Sequence, residues 1–283
     1  MSSVRTPAVA GRFYEKSATA LTRQIEESFR HDHGPGEIPD IADGPPDVRA
    51  LVSPHAGYSY SGPVAAHGFA ELAASGTPDA AIILGPNHDG LGEPAALSAA
   101  DRWATPLGEV RIHDDLRERI AGSSEIVSVD ERTHDGEHSM EVQVPFLQYV
   151  YDDSVPIVPL CLTHQDESTV ESVSRALVDA ADAFDGDVVF VASTDMTHYR
   201  SPAVAEKQDR MAIDEMESLD GSALLKTVTR ERISMCGYGP TAAVLEAAKG
   251  LGATDGTLLK YATSGDIAGP AREVVGYASV VVR

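Results

Sequence analysis

The chain has 283 residues, 44 of them acidic against 22 Lys and Arg, for a formal charge of −22. That length suffices for one large closed core, and a surface this acidic repels nucleic acid and anionic membranes, so neither is expected as a partner. No apolar run reaches the ~18 residues of a membrane span, and Met1-Ser2-Ser3-Val4-Arg5 is not followed by the apolar stretch of a signal peptide. The expectation is a soluble, cytoplasmic protein whose acidic, Lys-poor surface suits concentrated salt.

Ser17 is placed to cap a helix over 15–31, in which Leu21, Ile25 and Phe29 recur at helical spacing. Residues 32–48, with Gly34-Pro35-Gly36 and Gly44-Pro45-Pro46, read as a loop. Short apolar runs then alternate with helical ones. Strands are predicted at 48–53, 80–85, 155–162, 187–193, 257–263 and 273–282. Helices are predicted at 62–75, 139–150, 168–183, 203–218 and 239–249. This alternation predicts a single α/β domain over 1–283, with a mostly parallel central sheet and helices on both faces.

The chemistry collects after the strands. Arg49-Ala50-Leu51-Val52-Ser53 runs into Pro54-His55-Ala56-Gly57-Tyr58, and Ala81-Ile82-Ile83-Leu84 into Gly85-Pro86-Asn87-His88. Val188-Val189-Phe190-Val191-Ala192 runs into Ser193-Thr194-Asp195-Met196-Thr197-His198. Three histidines are thereby sent to the carboxyl edge of the sheet, where open α/β folds bind ligands. His31, His33, His113 and His164 lack this context and read as surface or loop residues, and His67 reads as a structural residue of a helix. In Glu137-His138-Ser139-Met140-Glu141, Ser139 is placed to cap the next helix and Glu141 to serve the same cap. His138 titrates near neutrality and suits acid–base work or a metal. Of the two cysteines, too few for a disulfide framework, Cys161 lies in an apolar strand. Cys236 opens a helix between glycines, where a lowered thiol pKa is expected. Two histidines and a cysteine suit Zn, Fe or Cu, and Asp195 is a candidate further ligand or a group that orients a histidine.

Taken together, Pro7-Ala8-Val9-Ala10-Gly11-Arg12-Phe13-Tyr14, Ser53-Pro54-His55-Ala56-Gly57-Tyr58-Ser59-Tyr60-Ser61-Gly62, Ile83-Leu84-Gly85-Pro86-Asn87-His88, Glu137-His138-Ser139-Met140-Glu141, Ser193-Thr194-Asp195-Met196-Thr197-His198-Tyr199 and Cys236-Gly237 resemble the Memo family. That family is named for a human mediator of receptor-driven cell motility. The archaeal members resemble one component of a three-part system with an AMMECR-type and a radical-SAM protein, which are the partners the resemblance implies. It implies a fold like that of class III extradiol dioxygenases, which hold Fe(II) with two histidines and a carboxylate. It also implies His55, His88 and Cys236 as ligands of one divalent or redox metal (Fe, Cu or Zn), with His138, Asp195 and His198 lining the same cleft.

The leading functional expectation is a metal-dependent, dioxygenase-like oxidoreductase in which His138 and His198 move protons and Asp195 orients one of them. The alternatives are a scaffold that uses the cleft for a small-molecule or peptide ligand, a metal hydrolase, and Cys236 as a nucleophile with His138 or His198 as base.

Overall fold

The structure is a computed structural model that describes residues 3–152 and 154–283; Met1 and Ser2 of the N-terminal stretch read above lie outside it. The chain begins with β1 (Val4–Arg5), α1 (Ala18–Arg30), β2 (Ala50–Ser53), α2 (Tyr58–Ser75) and β3 (Ala80–Pro86). It continues through β4 (Ala95–Leu97), β5 (Arg102–Thr105), β6 (Gly108–Arg111), α3 (Asp114–Gly122) and β7 (Val127–Val129). After a 3₁₀ turn at Glu141–Gln143 come α4 (Val144–Tyr151), β8 (Ile157–Leu162), α5 (Glu167–Asp182), β9 (Val188–Ser193) and β10 (His198–Arg200). The last third holds α6 (Pro202–Glu217), α7 (Gly221–Glu231), α8 (Tyr238–Gly250), β11 (Gly256–Thr263), α9 (Ser264–Ala268) and β12 (Val274–Val282).

Nine of the described strands form one sheet in the order β10-β12-β2-β9-β3-β8-β4-β7, with β11 antiparallel on β12. Its centre, β2-β9-β3-β8, is parallel throughout. β12 and β4 then flank that centre antiparallel, and β7 at the margin runs parallel to β4, so the sheet is mixed. The four central strands therefore end on one edge, and every loop that leaves them starts there.

Alternation along these strands feeds two cores, as a sheet covered on both faces requires. Ala50, Val52, Ile82, Leu84 and Phe190 pack with α3, α5, α6, α7 and α8. Leu51, Ala81, Ile83, Val189 and Val191 pack with α1, α2 and α4. Ser17 caps α1 as expected. α2 starts four residues ahead of the prediction, at Tyr58, and takes Pro63 as its sixth residue, past the first turn, at the cost of one helical hydrogen bond. Among the described residues no helix is long and apolar enough to cross a membrane.

The segment before α4 departs from expectation. Ser139 caps nothing: its amide donates to Glu137 Oε1 and its hydroxyl to the Pro86 carbonyl. Glu141 is fully buried and holds the N-terminus of the chain. It accepts Arg5 Nη1 at 2.8 Å, the amides of Ala8 and Val9, and the Tyr14 hydroxyl at 2.5 Å. Arg5 in turn donates to the carbonyls of His134 and Glu137 and stacks on Trp103. Removing one partner of a buried ion pair leaves the other charge uncompensated.

Two stability predictions follow from this latch. Glu141→Ala should lose about 3–5 kcal/mol in denaturant unfolding at neutral pH. His134 is fully buried, its Nε2–H donating to the Ala96 carbonyl, and burial, followed by the Arg5 charge, lowers its pKa to about 4. Above pH ~6.5 the ring is neutral folded or unfolded. As pH falls from there toward 4 the unfolded chain takes up a proton that the folded chain refuses, so stability should fall by up to roughly 3 kcal/mol. His134→Gln should flatten that part of the stability–pH curve.

Candidate metal centre

His55 leaves the end of β2, His88 the end of β3, and Asp195 the end of β9. Cys236 sits on the loop that opens α8, a helix packed on β9 and β3. One ligand-type atom each from His55, His88 and Cys236 lies within 4.8 Å of the other two. Cys236 Sγ is 3.3 Å from His55 Nε2. An N–S edge of a tetrahedral site with bonds of about 2.0–2.1 and 2.3 Å is about 3.5 Å, so the donor set fits one metal ion.

Hydrogen bonds fix which nitrogen each imidazole offers. The Ser193 hydroxyl donates to the Ser139 carbonyl at 2.6 Å, which uses its one proton. It then accepts from Gln143 Nε2 at 2.7 Å and from His55 Nδ1 at 2.9 Å. His55 must therefore carry its proton on Nδ1 and turn the Nε2 lone pair toward Cys236. Burial, reinforced by the neighbouring His138 and His88, pushes its pKa well below the ordinary value, so it stays neutral and able to ligate.

His88 is set the same way by a carboxylate. Its Nδ1 faces Glu137 at 3.0 and 3.1 Å, which leaves Nε2 free. Glu137 also accepts the amides of His88, His138 and Ser139 at 2.6–2.7 Å, filling about the four acceptor positions a carboxylate has. Burial alone would raise its pKa, but the His88 ring and these amides hold it well below the carboxylate range. Burial likewise works to lower His88, and the Glu137 contact outweighs it, so the net shift of that ring is upward. His88, Glu137 and His138 form a second close group; with the carboxylate already filled, that group is a brace for His88.

The remaining expected residues lie around these three. His138 stacks on His88 at 4.7 Å between centroids and meets the Phe13 ring edge-on at 4.6 Å. Its pKa is lowered by burial, against the pull of Glu137. His198 donates Nδ1–H to the Ser234 carbonyl at 2.8 Å and keeps Nε2 open. Asp195 does not orient an imidazole. Its Oδ1 accepts the backbone amides of His55 and Ala56, and its own amide donates to Cys236 Sγ at 3.1 Å. Burial lifts its pKa to about 6 despite the His55 amide bond.

Cys236 corrects the sequence expectation of a lowered thiol pKa. Burial, then the charge of Asp195, pushes the thiol up, and these outweigh the helix end. That disfavours the free thiol as a nucleophile. His67 donates to the His33 carbonyl, and His113 caps α3, both structural. Glu137 and Ser193 are the residues that sequence reasoning missed in their supporting roles. Both stood inside the quoted motifs, but their partners come from other loops.

A family model described as Memo-like protein matches residues 5–281. A MEMO1 family protein from Methanopyrus kandleri is 47% identical over 279 residues, covering 99% of both chains. MEMO1 family proteins from Methanothermobacter thermautotrophicus and Sulfolobus acidocaldarius are 44% and 43% identical, each covering at least 97% of either chain. A crystal structure of an uncharacterised protein from Escherichia coli K12 superposes with a TM-score of 0.54 at 16% identity, over 83% of this chain and 99% of that one. At that identity the match speaks to the fold.

Ser193→Ala should keep the fold but release the His55 tautomer. In ¹⁵N-correlated NMR of the metal-free protein, His55 should change from a single Nδ1–H form to a mixture. A pure Nδ1–H form in the variant would show that the hydroxyl does not set the tautomer.

Proposed function

Because this chain belongs to the Memo family, we propose that it is a metal-dependent oxidoreductase whose single metal ion is held by His55 Nε2, His88 Nε2 and Cys236 Sγ. The observation that carries this reading is the convergence of those three donors, with both imidazole Nδ1 atoms already engaged by Ser193 and Glu137. Bound there, Fe, Cu or Zn would supply a Lewis-acid or redox centre with open positions for a substrate and an oxidant.

The chain's own groups then handle protons and position. His138, kept neutral by burial and resting on His88, is placed to take a proton from a substrate bound beside it. His198, with Nδ1–H committed to Ser234, offers Nε2 as a second acceptor. Asp195 holds the His55 loop by its backbone and steadies the Cys236 sulfur, so its role is positioning. Glu137 stays ionised and keeps His88 aimed. The neighbouring dication would also reverse the thiol's preference, since a coordinated sulfur loses its proton.

Anaerobically purified protein should contain near-stoichiometric Fe, Cu or Zn, and Cys236→Ser should lose it while retaining its circular dichroism. The Fe- or Cu-loaded form should consume O₂ with an oxidisable substrate, and a protein that holds only Zn would overturn the oxidoreductase reading, because Zn has no redox chemistry. Wild-type protein that stays metal-free after reconstitution would overturn the proposal and leave the cleft as a docking site for a partner.

A further inference from the structure

Asn87 precedes the candidate ligand His88, and its side-chain Nδ2 donates to Thr163 Oγ1 at 2.8 Å. Thr163 leaves the end of β8, the strand next to β3 in the parallel centre. Two residues on, Gln165 reaches the loop of the other ligand. Its Nε2 donates to the Cys236 carbonyl at 3.0 Å, and its Oε1 accepts the Gly239 amide at 2.8 Å. The segment Thr163–Gln165 is thus hydrogen-bonded to the His88 loop at one end and to the Cys236 loop at the other.

The Cys236 loop is shaped to lie between two walls. A Cβ on Gly237 would come within 2.5 Å of the Ser193 carbonyl oxygen, and one on Gly239 within 2.7 Å of Gln165 Cβ. On the β9 wall, Thr194 Oγ1 accepts the Gly237 amide and the Asp195 amide meets the sulfur. On the other wall, Gln165 and Tyr238 border an open cleft of about 870 Å³. There the two amide hydrogen bonds of Gln165 hold the loop beside the cleft.

We propose that Thr163–Gln165 is a spacer that sets the separation of His88 from Cys236, with Gln165 as the positioning residue for the cysteine. His55 is already tied to Cys236 through Asp195, which binds the His55 amide and donates to the sulfur. The spacer supplies the His88–Cys236 side of the ligand triangle. The inference rests on the metal reading above for its purpose, but the tie itself exists without metal.

The test uses the full chain as wild type, Gln165→Leu, Gln165→Glu and Thr163→Val, with Co(II) alone as the metal probe and iodoacetamide as the thiol probe. Gln165→Leu should lower Co(II) affinity by about 10–100-fold, weaken the thiolate-to-cobalt absorption and speed alkylation of Cys236 in metal-free protein. Gln165→Glu keeps the acceptor for Gly239 and loses the donor to Cys236, so it should show the same directions if Gln165→Leu misfolds. Thr163→Val should lower Co(II) affinity without changing alkylation, because it frees the His88 side. Folded Gln165 variants with wild-type affinity and wild-type alkylation would overturn the proposal, and wild-type affinity in Thr163→Val would overturn the spacer. If the wild type binds no Co(II), the metal reading fails by itself; alkylation then decides the positioning role, with faster reaction sustaining it and an unchanged rate ending it.

Discussion

A carboxylate taken out of water has to be hydrogen-bonded on nearly every lone pair, and Glu137 meets that demand with donors from two loops. The chain after β3 and the chain before α4 must therefore meet at one point. That meeting aims His88, places His138 against it, and brings the Ser139 carbonyl to the Ser193 hydroxyl. Ser193 then sets His55. The latch of Arg5 on Glu141 and the Glu137 carbonyl presses the same segment from behind. One buried anion thus organises side chains that lie far apart in sequence.

The electrostatic state of this cluster is one-sided. Its imidazoles include two that burial holds neutral, His55 and His138, and its thiol resists ionisation. Its two acids are spent on backbone amides and on one ring. A metal ion gains from such a set where the ligating imidazole is already neutral, as at His55, while at His88 it competes with the proton that the Glu137 contact favours. The sulfur must give up a proton as well.

The central strands were legible because both of their faces are buried, so 80–85 and 187–193 read as unbroken apolar runs that match β3 and β9 closely. The sheet margins were not. β4, β6 and β7 are three or four residues long, too short for any period to register. α7 did carry a signal that went unused, Asp220 as cap with Leu224, Leu225 and Val228 on one side. The residues now gathered at the sheet edge were visible as a pattern of strand endings. Their supports were not, because they depend on close approach: a Cβ on Gly85 would sit 2.4 Å from Ser139 Oγ, and no local spacing announces that contact. Glu141 was misread for the same reason, since its partners Arg5 and Tyr14 lie more than a hundred residues away.

The strand order also governs how the molecule can be made. β2 carries His55 and lies between β9 and β12, and β12 is the last strand of the chain. The sheet beside His55 therefore cannot close until the distant β12 has been added. The first ligand synthesised waits for the final strand, with apolar edges exposed meanwhile and long-range pairing setting the pace. The His55 side of the centre is thus completed only by a pairing distant in sequence, Val52 against Val280.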